Sequence, residues 1–305
     1  MQGCQSETIW KGKKMHNFSK PTTKVKDALA DVGKKLQSPK KEFLASNKDT
    51  LSDLFETYDE LAAKDQLHTL SRKWTYVAGM NDAEKQEVAD NRQRAHDLYG
   101  DDRPFVNAHW EYLTAKNGGE TLYCPICGLH ECEETDHFVP RGLESFPEYA
   151  AHLSNLIPLC HSCNHKKLEQ FLDENGKRIC FNAFYDVLTS RDLLECSIVL
   201  DPDDGLPKIQ ASLSPALVTG RKPDDYIIST VKKLELMPRF VSKAKLVLKN
   251  EMARLTKRAG QDWEIIKSEM QGLSKVGDGD PDVVTPAVLG AIAKSKVMEE
   301  WFKAL

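Results

Sequence analysis

Four cysteines fall in two short pairs, Cys124-Pro125-Ile126-Cys127 and Cys160-His161-Ser162-Cys163. Between the pairs stand Asp136-His137 and Asn155, and Asn164-His165-Lys166-Lys167 follows the last cysteine directly. Thiolates suit zinc in closed tetrahedral sites, and two Cys-x-x-Cys turns supply the four that such a site needs. A lone Cys-x-x-Cys also serves as a redox pair, but two of them, each flanked by turn-forming residues, fit a shared zinc better. A zinc with four thiolates has no open position, so it holds a fold and performs no reaction. Chemistry has to come from the residues around the pairs.

Hydrolysis of a phosphodiester needs a water, a base to deprotonate it and a cation to neutralise developing charge on oxygen. His137 is the candidate base, because an imidazole accepts a proton at physiological pH. Asp136 and Asn164 offer hard oxygen ligands for Mg²⁺ or Mn²⁺, with His165 as the competing ligand next to Asn164. Lys166 and Lys167, near a helix N-terminus, and Arg141 are candidate phosphate contacts. The plainer reading is a zinc ribbon without catalysis, since an Asp-His dipeptide alone is common and paired lysines are usually solvated. His130 and Cys132, in an acidic loop, compete in principle for the zinc. His161 is expected to face solvent or a phosphate, and His109, His152 and the tryptophans are read as ordinary core or surface residues.

The run Asp-His-Phe-Val-Pro-Arg-Gly, followed by Asn-Leu-Ile-Pro-Leu-Cys-His-Ser-Cys-Asn-His-Lys-Lys, resembles the HNH endonuclease motif over about residues 120 to 175. The resemblance implies a small ββα-metal core, a hairpin followed by a helix, with structural zinc. It implies a carboxylate on the catalytic metal (Asp136) and a histidine turned to the water (His137). It also implies a middle asparagine (Asn155) that ties down the loop and orients that histidine. Together with Ser-Phe-Pro-Glu-Tyr and the segment Arg178-Ile179-Cys180-Phe181 with Tyr185-Asp186, the stretch is similar to HNH proteins of bacterial antiphage systems, nearest to the nuclease subunit of Septu-type systems. That likeness implies an ATPase or other defence-system subunit as partner. The expected function is a metal-dependent endonuclease acting on DNA. A zinc-stabilised nucleic-acid-binding or interaction module, and an RNA-cleaving toxin, stay open as alternatives.

The elements that must position these residues follow from periodicity and breaks. At 305 residues the chain is long enough for two domains or one elaborated core. Residues 1 to 40 form a basic segment, with ten lysines against Asp27 and Asp31 between Trp10 and Lys41 and only Val25, Ala28, Leu29 and Val32 as a helical stripe. Residues 41 to 117 read as helical: Leu51, Leu54, Phe55, Tyr58, Leu61 and Ala62 recur at spacings of three and four, and Asp82 to Leu98 is rich in helix formers. Gly118-Gly119 breaks the pattern, and residues 118 to 190 hold the motif. Thr121-Leu122-Tyr123 reads as a short strand there, and a helix is predicted from about Cys163 toward Asp173, burying Leu168, Phe171 and Leu172 and ended by Asn175-Gly176.

From 191 to 305 the pattern predicts a hairpin, Glu195 to Leu200 with Leu206 to Leu213, and then helices starting near Pro223 and Pro238. A Gly-Asp-Gly-Asp-Pro loop at 277 to 281 is expected to precede one last helix. The helix after Pro238 has an apolar face, Phe240, Ala244, Val247, Leu248 and Leu255. Seven basic residues against Glu251, among them Lys243, Lys245 and Lys249, suggest that it meets a nucleic-acid backbone. That patch and the N-terminal one matter because the net charge is -4, so the molecule as a whole does not attract polyanions. The expected fold class is therefore α+β. No apolar run approaches a membrane span and the first ten residues lack a signal-peptide core, which predicts a cytoplasmic protein with no membrane contact. Cys4, Cys132, Cys180 and Cys196 show no pairing pattern and are read as reduced thiols.

Overall fold

A computed structural model describes residues 18, 20–21, 25–100, 104–116, 121–186, 193–217, 219–220, 224–275 and 282–305. Most of the basic N-terminal run before Val25, the Gly118-Gly119 break and the 277–281 loop lie outside them. The fold is α+β, mostly helical with two small antiparallel sheets. No helix among the described residues is long and apolar enough to cross a membrane. The chain divides into two compact units, one made of residues 17–126 and 130–187, the other of 188–305 with 127–129.

The first unit opens with helices α1 (Val25–Lys35), α2 (Lys40–Ser46) and α3 (Lys48–Ala63). In α3 the three- and four-residue spacing puts Leu51, Phe55, Tyr58 and Ala62 on one buried face. Helix α4 (Asp82–Asp97) is mostly polar, burying Val88, Arg92 and Ala95, and starts at a capping box: Asn81 Oδ1 accepts from the Glu84 N–H at 3.0 Å, and Glu84 Oε2 accepts from the Asn81 N–H at 2.8 Å. Helix α5 (Pro104–Lys116) completes the helical part, with α1 packed on α2, α3 and α5.

Strands β1 (Glu134–His137) and β2 (Leu156–Leu159) then pair antiparallel, Asp136 opposite Ile157 and His137 opposite Leu156. Helix α6 (His161–Lys167) follows β2 after one residue, Cys160. Tyr123, expected in a strand of its own, makes only an isolated bridge to Glu131.

The predicted helix to Asp173 is corrected: α6 stops at Lys167, because Leu168 takes a positive φ of 49°. Leu168 is thrown outward, 60% exposed, while Phe171 turns inward against Phe138, ring centroids 5.8 Å apart. Asn175-Gly176 does not end a helix. It forms the tip of a tight turn in which Asp173 Oδ1 accepts from the N–H groups of Asn175 and Lys177, with Gly176 at φ 72°.

In the second unit, β3 (Leu194–Leu200) and β4 (Pro207–Leu213) form the expected hairpin. Helices α7 (Asp224–Lys233) and α8 (Leu236–Thr256) come next, and Phe240, Ala244, Val247, Leu248 and Leu255 are all buried along α8. Pro238 is the third residue of α8, not its start, a place where its missing N–H costs nothing. Helix α9 (Trp263–Ser274) begins at the Asp262 cap, whose carboxylate accepts from the Glu264 N–H at 2.9 Å. The single last helix divides into α10 (Val284–Lys294) and α11 (Lys296–Lys303), because Ser295 is extended and its hydroxyl caps α11 by accepting from the Met298 N–H.

Candidate metal centre and cleft

The Sγ atoms of Cys124, Cys127, Cys160 and Cys163 all lie within 4.8 Å of one another, and all four residues are buried. Sulfurs bound tetrahedrally at about 2.3 Å stand about 3.8 Å apart, so this cluster fits one zinc. Local backbone explains how each pair is held. Cys124 and Cys132 clamp the first turn, through Cys124 N–H to His130 O at 2.9 Å and Cys132 N–H to Leu122 O at 2.7 Å. Cys160 and Cys163 sit at the end of β2 and in the first turn of α6, joined by Cys163 N–H to Cys160 O at 3.1 Å. Neither His130, which is exposed, nor Cys132 belongs to the cluster. No described cysteine forms a disulfide, and Cys4 lies outside the described residues.

Beside the second pair opens a cleft of about 1080 Å³. Strand β1 lines its floor with Glu134 to His137, α6 lines one side with His161, Asn164 and His165, and α5 lines another with Val106, Asn107 and Trp110. Asp136 and His137, adjacent on β1, both line this cleft. His137 Nε2 donates to the Ala150 carbonyl at 2.9 Å, which leaves Nδ1 as the basic nitrogen. The Tyr99 ring meets the imidazole edge-on at 4.4 Å. Burial lowers the His137 pKa to about 3 against the help of the Ala150 bond, so the ring is neutral at physiological pH.

Asn155 is fully buried and uses its whole amide. Its Oδ1 accepts from Val139 N–H at 2.7 Å and from the Tyr58 hydroxyl at 3.0 Å, and Nδ2 donates to Val139 O at 3.0 Å and Tyr149 O at 3.2 Å. The amide thus straps both ends of the loop that carries Ala150, the partner of His137. Asn164 Nδ2 donates to Glu134 Oε2, while Glu134 Oε1 meets His161 Nδ1 at 2.5 Å. Those bonds, that from Asn164 first, hold the Glu134 carboxyl below its usual pKa. His165 is exposed and its ring stacks on His161 at 6.0 Å.

Lys167 points inward. It was expected to contact phosphate, but it is 3% exposed, pairs with Asp136 Oδ2 at 2.7 Å and donates to the His137 carbonyl at 3.0 Å. Burial raises the Asp136 pKa and the Lys167 ammonium opposes that rise. Lys166 is half-buried and outside the cleft lining. Arg141 lines the cleft, its guanidinium 4.8 Å over the Tyr99 ring and its Nη1 donating to His96 Nε2 at 2.9 Å. In the second unit, Lys245 and Lys249 are exposed on α8, and Lys243 lies 3.7 Å from the Asp282 carboxylate.

Sequence reasoning missed Glu134, Tyr99 and Trp110 in the cleft. For Glu134 a signal existed, since it stands two residues before Asp136 in a strand and so shares its face. It likewise read His109 and His152 as isolated. His109 Nε2 meets the Leu156 carbonyl at 3.0 Å, and His152 Nε2 meets Asp59 Oδ1 at 3.0 Å, an oxygen that the Tyr185 hydroxyl also reaches. No family model, curated protein or solved structure matches this chain.

Proposed function

We propose that the protein is a metal-dependent endonuclease of the HNH type, hydrolysing phosphodiester bonds of DNA. The observation that carries this reading is the placement of His137: its imidazole lines the cleft beside Asp136 and Asn164, with Nε2–H committed to the Ala150 carbonyl so that Nδ1 is the nitrogen without a proton. A zinc module has no use for such a base. Asp136 and Asn164 are the ligands proposed for Mg²⁺ or Mn²⁺, with Glu134 and His165 lining the same cleft. Bound there, the cation supplies neutralisation of charge on the phosphoryl and leaving oxygens. The chain's own residues do the rest. His137 Nδ1 takes the proton of the attacking water, and Asn155 keeps the Ala150 loop, and hence the ring, in place. Arg141 offers the phosphate a guanidinium, and Lys167 favours the ionised form of Asp136.

The motif's similarity to antiphage HNH proteins supports placing the activity in bacterial defence, in the cytoplasm, with an ATPase or other defence-system subunit as partner. A second reading has one observation in its favour: the Asp136 carboxylate is already paired with Lys167, as in a zinc-stabilised binding module without catalysis. Incubating the purified protein with plasmid, single-stranded DNA and RNA, in Mg²⁺, Mn²⁺ or EDTA, tests the proposal. Cleavage of DNA only with a divalent cation supports it, cleavage of RNA alone makes the protein a ribonuclease, and binding without cleavage favours the module.

A further inference from the structure

The cleft has two chemically different sides. Along α5, Val106, Asn107 and Trp110 share a face, and Tyr99 adds a second aromatic ring to the lining. Along α6, Asn164 and the stacked imidazoles of His161 and His165 present hydrogen-bonding groups, next to the carboxylates of Glu134 and Asp136 on β1. Trp110 is half-buried, and its indole Nε1 donates to Thr135 Oγ1 at 2.7 Å, which fixes the ring one residue away from Asp136. The volume of about 1080 Å³ is as large as the roomiest ligand pockets, roughly 300–1,000 Å³. A nucleotide has the same two-sided chemistry, an anionic phosphate and a flat apolar base.

We propose that the α5 side is a nucleobase subsite, resting on the nuclease reading of the same cleft. With the scissile phosphate on the α6 side, the base of an adjoining nucleotide stacks on Trp110, and exposed Asn107 is placed to meet the base edge. In a duplex each base face is covered by its neighbours, so this subsite fills only when the base is unpaired. The substrate class is therefore a single strand, or a duplex with an unpaired or displaced nucleotide at the cut.

The test uses the full chain and one oligonucleotide sequence in four forms: single-stranded DNA, duplex DNA, single-stranded RNA, and single strands with an abasic residue walked along them. Affinity is read by anisotropy without added divalent cation, and cleavage with Mn²⁺. The wild type should bind the single strand more tightly than the duplex, and one abasic position should weaken binding by about 5- to 150-fold, the range for loss of one base stack. Trp110→Ala should show the same loss and be indifferent to that position, whereas Trp110→Phe should keep most of the affinity. A stronger effect in the RNA arm supports the subsite and assigns the strand. Equal affinity for single strand and duplex, with no sensitive abasic position in the wild type, overturns the subsite even if the variants fail to fold. The two proposals fail separately: base-sensitive binding with no cleavage removes the nuclease and leaves the subsite, and duplex cleavage without base sensitivity does the reverse.

Discussion

His109, His137 and His152 are all buried in the first unit, and desolvation holds all three imidazoles below their ordinary pKa, His109 at about 4 and His137 at about 3. For His109 the consequence is a stability change with a definite sign. Its ordinary pKa of 6.5 is the unfolded value, so between pH 6.5 and about 4 the unfolded chain binds a proton that the native state refuses. The stabilisation is complete above that window and is lost as pH falls through it, by up to about 3 kcal/mol. Asp59 acts lower down. Burial pushes its carboxyl up, but His152, Tyr185 and Lys20 together hold it at about 2, so its contribution disappears only as pH falls from 3.8 toward that value. Denaturant unfolding followed from pH 7 to 4 should show falling stability in the wild type and a shallower fall in His109→Gln; identical slopes would remove His109 as a source. Local chemistry of this kind was partly legible in the sequence. The cysteines, Asp136, His137 and Asn164 announce themselves by residue type and spacing, and the structure brings them to one cluster and one adjoining cleft. Lys167 was misread because a lysine in a polar run gives no sign of burial, and its partner Asp136 is distant in sequence.

Two of the four cysteines, Cys160 and Cys163, bracket the junction of β2 and the short helix α6, and the other two lie in the turn before β1. A zinc bound by the four thiolates therefore contributes directly to folding of that element group. Elemental analysis should find one zinc per chain, retained through mild EDTA treatment, and Cys163→Ser should lose zinc, solubility and activity together. Folded protein without zinc would remove this account of the element group. Periodicity exposed the long elements: α3 and α8 bury the faces that three- and four-residue spacing predicted, and the β3–β4 hairpin falls where alternation placed it. Interruptions were harder to see. Leu168, Phe171 and Leu172 continue a helical spacing past Lys167, and only the positive φ of Leu168, a residue with no turn signature, stops α6. Ser295 splits the last helical stretch through its capping hydroxyl, an ordinary serine in a sequence otherwise suited to helix.

At the scale of the whole molecule, a net charge of -4 means that binding to a polyanion depends on local groups of cations. Helix α8 offers one, anchored by its buried face and displaying Lys245 and Lys249 to solvent. Changing Lys243, Lys245 and Lys249 together to Glu should weaken nucleic-acid binding uniformly across sequences and flatten its dependence on salt. Unchanged affinity in the folded triple variant would make α8 a plain solvated helix. The cleft itself draws on β1, α5, α6 and the residues just after α4, stretches that no local pattern connects, which is why its aromatic side could be found only in three dimensions. Whether His137 is the base of a metal-dependent nuclease is decided by cleavage of single-stranded and plasmid DNA in Mg²⁺ or Mn²⁺, with wild type and His137→Ala compared at equal zinc content and equal DNA affinity. The wild type should cleave, and the variant should be slower by about 10²- to 10⁴-fold, not restored by more Mn²⁺; cleavage by His137→Ala at the wild-type rate would rule His137 out as the base.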